Sequence, residues 1–596
     1  MNRKLYALLA VLILASMALS ACGSAATAAP TTAPGATAMP AATNTAAPTA
    51  TSAPKIITIA YQQEPDNVAG EYSNMTYSAW LDQVVGASLV TWDANNNLVA
   101  QLAAEVPSAS NGDVSADGLT VTFKLKPNLK WSDGQPLTSK DVLFTWQSQV
   151  DPKNAPISRA GYDHISSIDT PDDNTAVLHF SSLYPAWPNL FSVGPNTTGM
   201  LLPAHILQGQ TGLEKNAEIH SPTVVAGPFM IKEWVAGDHM TLVANPNYNG
   251  TAPKISQINI KFVPDSTTAL AALKTGDVDF VPDFSEGDIP TLEALAPNQQ
   301  MRVDATPEFE HMLFNLGITN STIKDPTSGA IIGNSDVAGF CPFQDVNVRK
   351  AIYLAIDRDT IVKTLLFGKT TAPTSLWPNS PWYDTSLTPY PYDPTQAGQL
   401  LDAAGYKVGS DGIRAGTCNG KPVKFNINLE TTVKQLRQDE QAAIQANLKQ
   451  VGINVNIVAT PAGTFFGSYT EGANMMTGKF DMAIYTTGFY PDPDPGNSFS
   501  CSGVPNKANP TGQNDYHYCD QTGKMDSLIA AGLASADPAT RKTAYDAVQQ
   551  YQYDQALFVP LYARANVYGY TTRLVFPPSS GFCGWACDIT NWDVSQ

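Results

Sequence analysis

The usual catalytic signatures are missing from this sequence. It contains no HExxH, no GxSxG and no GxGxxG placed after a strand, which removes the common metallohydrolase, serine hydrolase and dinucleotide-binding readings. Gly368-Lys369-Thr370 has the ending of a phosphate-binding loop, but Lys363 stands where the loop's first glycine belongs, so the tripeptide reads as a helix stop with a polar tail. Histidine is scarce: the seven residues are scattered, no pair has ligand spacing, and no CxxC occurs, so neither a metal nor a redox centre is expected. Basic residues are outnumbered, 35 Lys and Arg against 53 Asp and Glu, for a net charge of −18. That balance argues against nucleic acid as a partner. Past the first residues no segment is apolar enough to span a membrane. With no identifiable nucleophile–base pair, the chain is expected not to be an enzyme and to need no cofactor.

What the sequence does have begins at its N-terminus. Arg3 and Lys4 precede an apolar run over residues 5–19, of signal-peptide length and shorter than the roughly 20 residues of a membrane-spanning helix. The run ends in Leu19-Ser20-Ala21-Cys22, which resembles the bacterial lipobox; Cys22 would then carry the lipid and begin the mature chain. Residues 23–54 are nearly all Ala, Thr, Pro, Ser and Gly with no charge. Such a stretch buries too little apolar surface to offset its ordering entropy and is expected to be a disordered tether. At roughly 3 Å per residue it would reach up to ~100 Å from the bilayer. Cys341, Cys418, Cys501, Cys519, Cys583 and Cys587 form an even set in an oxidising compartment. Nearest-neighbour pairing, 341–418, 501–519 and 583–587, is the simplest of the arrangements that the sequence leaves open.

The remaining body, about 540 residues, is too long for one core. Residues 56–61 read as a buried strand, and residues 119–125 alternate with the period of a half-buried one. Thr138 is placed to cap a helix, as are Asp393-Pro394 and Asp537-Pro538, with Gly405 closing the second of these. A helix expected from about Val433 to Val451 stops at Gly452, and residues 453–457 then alternate as a strand. Residues 558–562 read as another strand. Helix and strand alternate through the second half, which points to an α/β arrangement.

Several collinear segments together resemble the extracellular solute-binding protein family 5, whose members bind oligopeptides, dipeptides, nickel complexes and some sugars. They include Trp131-Ser132-Asp133-Gly134-Gln135-Pro136, Ala226-Gly227-Pro228-Phe229, Lys274-Thr275-Gly276-Asp277-Val278-Asp279, and Arg349-Lys350-Ala351-Ile352 with Ala355-Ile356-Asp357-Arg358. Asp481-Met482, Arg541 and Pro560-Leu561-Tyr562 continue the series; Asn249 departs from it, standing where a Trp usually follows Tyr248. The resemblance implies an α/β bilobal fold of the type II periplasmic-binding-protein kind, with an extra N-terminal subdomain and two crossing hinge strands. Residues 55–312 and 565–596 would form lobe I, with the subdomain inserted at about 95–225, and residues 313–564 would form lobe II. The hinge strands would fall near residues 310–315 and 562–568.

A closing receptor needs loops from both lobes, enclosing aromatic surface and a few fixed charges. Three stretches suit that role: Gln63, Glu64 and Asn67 after the opening strand; Trp377 in the loop around 374–378; and Phe489 and Tyr490 with Asp492. In peptide-binding relatives the segment matching Asp492 sets an aspartate against the ligand's α-ammonium group. The resemblance therefore implies a monomeric, lipid-anchored receptor on the extracytoplasmic face of the cell membrane, passing a peptide to an ABC permease. A carbohydrate or metal-chelate receptor is the alternative within binding proteins. A secreted lipoprotein hydrolase is the alternative from another class, and an added sensor role stays open.

Overall fold

The computed structural model describes residues 53–595 apart from positions 74, 155, 158, 160, 195–196, 318–321, 325–330, 335–336, 468, 470–471, 489–490 and 511. Cys22, the apolar leader and nearly all of the tether lie outside the described residues. A sheet of ten strands runs through residues 54–596: β1 (Ile56–Tyr61), β2 (Phe229–Val235), β3 (His239–Ala244), β4 (Gln257–Phe262), β5 (Phe280–Phe284), β6 (Gln299–Phe314), β7 (Asn426–Thr432), β8 (Asn454–Thr460), β9 (Met482–Thr487) and β10 (Phe558–Thr571). Its spatial order is β8-β7-β9-β6-β10-β5-β1-β4-β3-β2. Parallel pairs β1–β4 and β7–β8 sit in the two halves, and the antiparallel pair β6–β10 joins them.

Local sequence explains most boundaries. The Thr138 hydroxyl accepts from the backbone of Lys140, and Asp141 reaches back to the Thr138 N–H, so Ser139–Val150 starts with a reciprocal cap. Asp393 and Asp537 cap Pro394–Ala403 and Pro538–Gln555, each with proline in the first turn where no N–H is needed. The helix read from Val433 begins at Gln435 and ends at Gln450. The expected disulfides are all present, 341–418, 501–519 and 583–587.

Apolar burial is divided. One core contains Phe314, Ile352, Leu429, Ile484 and Val559 in the second half. Two more flank the first-half sheet, around Ile57 and Phe280 and around Ala60 and Val281. A fourth gathers Val121, Phe123, Trp131 and Leu178, where two small sheets form within residues 90–198.

The long strands exceed the expected hinge segments, 16 residues in β6 and 14 in β10. Their pairing is continuous from Gln299 opposite Thr571 to Ala305 opposite Ala565, breaks, and resumes with Phe309 opposite Ala563. Pro307 lies in the break, as a residue without an N–H must in a central strand. Side chains satisfy the interrupted backbone there: the Thr306 hydroxyl donates to Arg564 O (3.0 Å) and Asn379 Nδ2 to Thr306 O (2.9 Å).

The first half also buries two carboxyl groups, Glu71 and Asp82, whose side-chain oxygens find no hydrogen-bond partner among the described residues. Burial raises Glu71 to about 7; burial and then Glu71 raise Asp82 well above the usual carboxylate range. The folded state therefore holds protons that the unfolded chain releases at lower pH. The stability they contribute is complete below the ordinary carboxylate values and is lost as pH rises through about 7. Thermal melts from pH 5 to 8 should show Tm falling with pH, and Asp82→Asn should flatten that fall; parallel slopes for both proteins would refute the assignment.

Candidate ligand-binding cleft

The halves meet where β9 leads into Pro491-Asp492-Pro493-Asp494-Pro495. The three prolines offer no N–H, so the run cannot join a ladder, and side chains tie down its carbonyls instead. Trp382 Nε1 donates to Pro491 O (3.1 Å), and the Tyr545 hydroxyl donates to Pro493 O (2.9 Å). Asp494 Oδ1 accepts from Gly496 N at 2.9 Å and turns the chain into the short helix Gly496–Phe499.

Asp492 is the centre of this seam. Its carboxylate takes both terminal nitrogens of Arg541, which rises from the first turn of Pro538–Gln555. The guanidinium lies 5.1 Å from the Trp382 ring centroid and 5.5 Å from that of Tyr545. Burial raises the Asp492 carboxyl above its usual value in spite of Arg541. Burial also works against the Arg541 charge, yet Asp492 leaves that group raised. From the other side, Asn189 Nδ2 donates to Asp492 O (2.6 Å) and Asn189 Oδ1 accepts from Asp492 N (3.4 Å), linking positions 303 residues apart. A partly open cavity of about 210 Å³ lies beside this contact, with Trp187 on one wall and Trp382, Asp492 and Arg541 on the other.

Where the resemblance led us to expect an ammonium group, the structure shows Asp492 paired with Arg541 through both carboxylate oxygens, so in this arrangement the side chain holds the turn. Trp377, at 6% exposure and φ 63°, packs against Tyr545 (5.4 Å) in the second-half core. Glu64 is engaged with the β2–β3 hairpin, accepting from Trp234 Nε1 (2.8 Å) and Gly237 N (2.9 Å). Asn67 is buried and donates to Tyr72 O (3.3 Å), whereas Gln63 is exposed. Phe489 and Tyr490 lie outside the described residues. The residues that complete the seam without having been singled out are Trp187, Asn189 and Trp382; Arg541 matched a motif but had no role. Nothing local marks them, because sheet register and chain crossing alone bring them together.

Behind the cleft a charge chain follows the hinge. Arg564 on β10 contacts Glu286 from the first half (3.0 Å) and Glu310 on β6 (3.4 Å); Glu310 in turn contacts Arg437 from the second-half helix (2.6 Å). Burial would push Glu310 up, but Arg437 and Arg564 hold it at about 2. Glu440, raised well above its usual value by burial and then by Glu310, accepts from the Tyr562 hydroxyl at 2.8 Å. His311, lowered to about 4 by burial, sits beside them among Phe309, Tyr485 and Phe558.

Residues 97–508 match the family described as bacterial extracellular solute-binding proteins, family 5. The chain belongs to this family. A Brucella ovis relative carrying the provisional name ABC transporter peptide-binding protein is 28% identical over 79% of each chain. The nickel-binding periplasmic protein of Escherichia coli is 25% identical over 86% of this chain and 89% of its own. Among solved structures, the oligopeptide-binding protein AppA of Bacillus subtilis, in complex with a nonapeptide, superposes with a TM-score of 0.73 at 22% identity, covering 91% of this chain and all (100%) of that one. NikZ of Campylobacter jejuni, in complex with Ni(L-His), gives the same TM-score of 0.73 and identity of 22% over 91% of this chain. The fold is thus the bilobal family 5 fold, and the family is one of solute-binding receptors for ABC importers.

Removing one partner of a buried ion pair strands the other charge, a loss of about 3–5 kcal/mol. Arg541→Met should cost on that order in urea unfolding, and adding Asp492→Asn should recover part of it. A double variant as unstable as the sum of the two single ones would show that the pair is not coupled.

Proposed function

We propose that the protein is a lipid-anchored receptor that captures a peptide outside the cell membrane and hands it to an ABC permease. The observation that carries this reading is the seam itself. A backbone segment of the second half, held by Trp382, Arg541 and Tyr545, faces Asn189 of the first half across a junction that the strands β6 and β10 link through the sheet. Two bodies joined in that way can separate to admit a ligand and close over it. Peptide is favoured among ligands because the Brucella ovis relative, 28% identical, carries a peptide-binding name, against 25% for the nickel-binding protein of Escherichia coli, and because AppA of Bacillus subtilis and an oligopeptide-binding protein of Thermus thermophilus hold a nonapeptide and a pentapeptide on this fold. Lipidation at Cys22 and the uncharged run after it would keep the body tethered while free to turn toward a permease.

Two measurements test the reading. The full-length chain should fractionate with membranes, and Cys22→Ala should release it to the soluble fraction; retention of the variant would remove the lipid anchor from the account. Protein stripped of endogenous ligand in denaturant and refolded should bind a mixed tryptic peptide pool in calorimetry. Heat released by nickel–histidine or oligosaccharides, with none from peptides, would replace the ligand while leaving the receptor in place.

A further inference from the structure

The cavity at the seam has a size and lining that identify what it can hold. Its volume, about 210 Å³, exceeds the ~150 Å³ of an engineered apolar cavity that admits benzene. The walls are apolar on both sides: Val114, Leu183 and Trp187 from the inserted part of the first half, Trp382, Ala536 and Pro538 from the second. Among the described residues the charged side chains lining it are Asp492 and Arg541, which neutralise each other in a bidentate pair. A lysine or glutamate seated there would find no unpaired counter-charge among these walls. An aromatic ring would find two indole side chains, Trp187 and Trp382, and the Arg541 guanidinium, the groups with which stacked and cation–π contacts form.

We infer that this cavity is a selectivity pocket for one aromatic side chain of the bound ligand, an inference that rests on the peptide reading above. Both halves supply its walls, so a ring seated there contacts the first and second halves at once and adds affinity only to the closed arrangement. A group with that differential contact favours closure, whereas the rest of a peptide lying against one half does not. Selection for a ring and stabilisation of the closed receptor are therefore one interaction.

The test uses the refolded, ligand-free protein with two probes, the tetrapeptides Ala-Ala-Phe-Ala and Ala-Ala-Ala-Ala, in calorimetry. Burying the ring should make the phenylalanine peptide roughly 10- to 100-fold tighter. Ala536→Phe fills the cavity from the second half and Val114→Phe from the first; either variant, if its melting curve stays cooperative, should bind the two peptides equally. Equal affinities in the wild-type protein would overturn the inference and leave the peptide receptor standing. So would a filled variant that keeps the full preference for the ring. Binding of neither peptide by the folded protein would overturn the peptide reading, and the inference with it.

Discussion

The pairing of two long antiparallel strands through the middle of the molecule is the constraint on which the remaining features rest. β6 and β10 each belong to both halves, and their ladder is interrupted at residues 306–308 and shifts register again between Glu310 and His311. On one side of the break β10 continues into the first-half sheet through β5; on the other β6 continues into the second-half sheet through β9. A break there concentrates bending at one point, because the paired stretches on either side resist it. Pro307 cannot repair the ladder, and Asn379 and Thr306 supply substitute bonds there.

The charge chain through the same region gives that junction direction. Glu286, Arg564, Glu310 and Arg437 alternate in sign from the first half to the second. Desolvated charges are costly alone, so each depends on its neighbour. Moving one half relative to the other must preserve these contacts or replace them with water. A hinge built this way favours a few discrete arrangements over a continuum, as a receptor that is either open or closed requires. The seam repeats the logic on a smaller scale: Asp492 and Arg541 remain within the second half, whereas the two bonds from Asn189 can be made only when the halves meet.

How much of this was legible in the sequence depends on distance along the chain. The helix starts at Thr138, Asp393 and Asp537 were readable because a cap is decided by three or four neighbouring residues. Strand β8 was readable because alternation is local, and the disulfides 501–519 and 583–587 needed only short chain paths. The first part of β6 was not, since residues 299–308 are largely polar, include a proline, and take their strand character from pairing with β10. The pairing of Asp492 with Arg541 was not legible for a related reason. The match of Asp492 to an ammonium-binding position is a one-dimensional observation, and its neutralisation by Arg541, 49 residues away, is a three-dimensional one. Trp377 shows the same limit: an indole in a loop reads equally as ligand surface or as core until the packing around Tyr545 is known.

The central claim is that two halves joined at one hinge close over a ligand. Small-angle X-ray scattering of the ligand-stripped protein, before and after saturation with a mixed tryptic peptide pool, tests it most directly. Hinge closure predicts a smaller radius of gyration on loading. An unchanged radius, with binding confirmed in the same sample, would contradict hinge closure and leave a receptor that binds without moving.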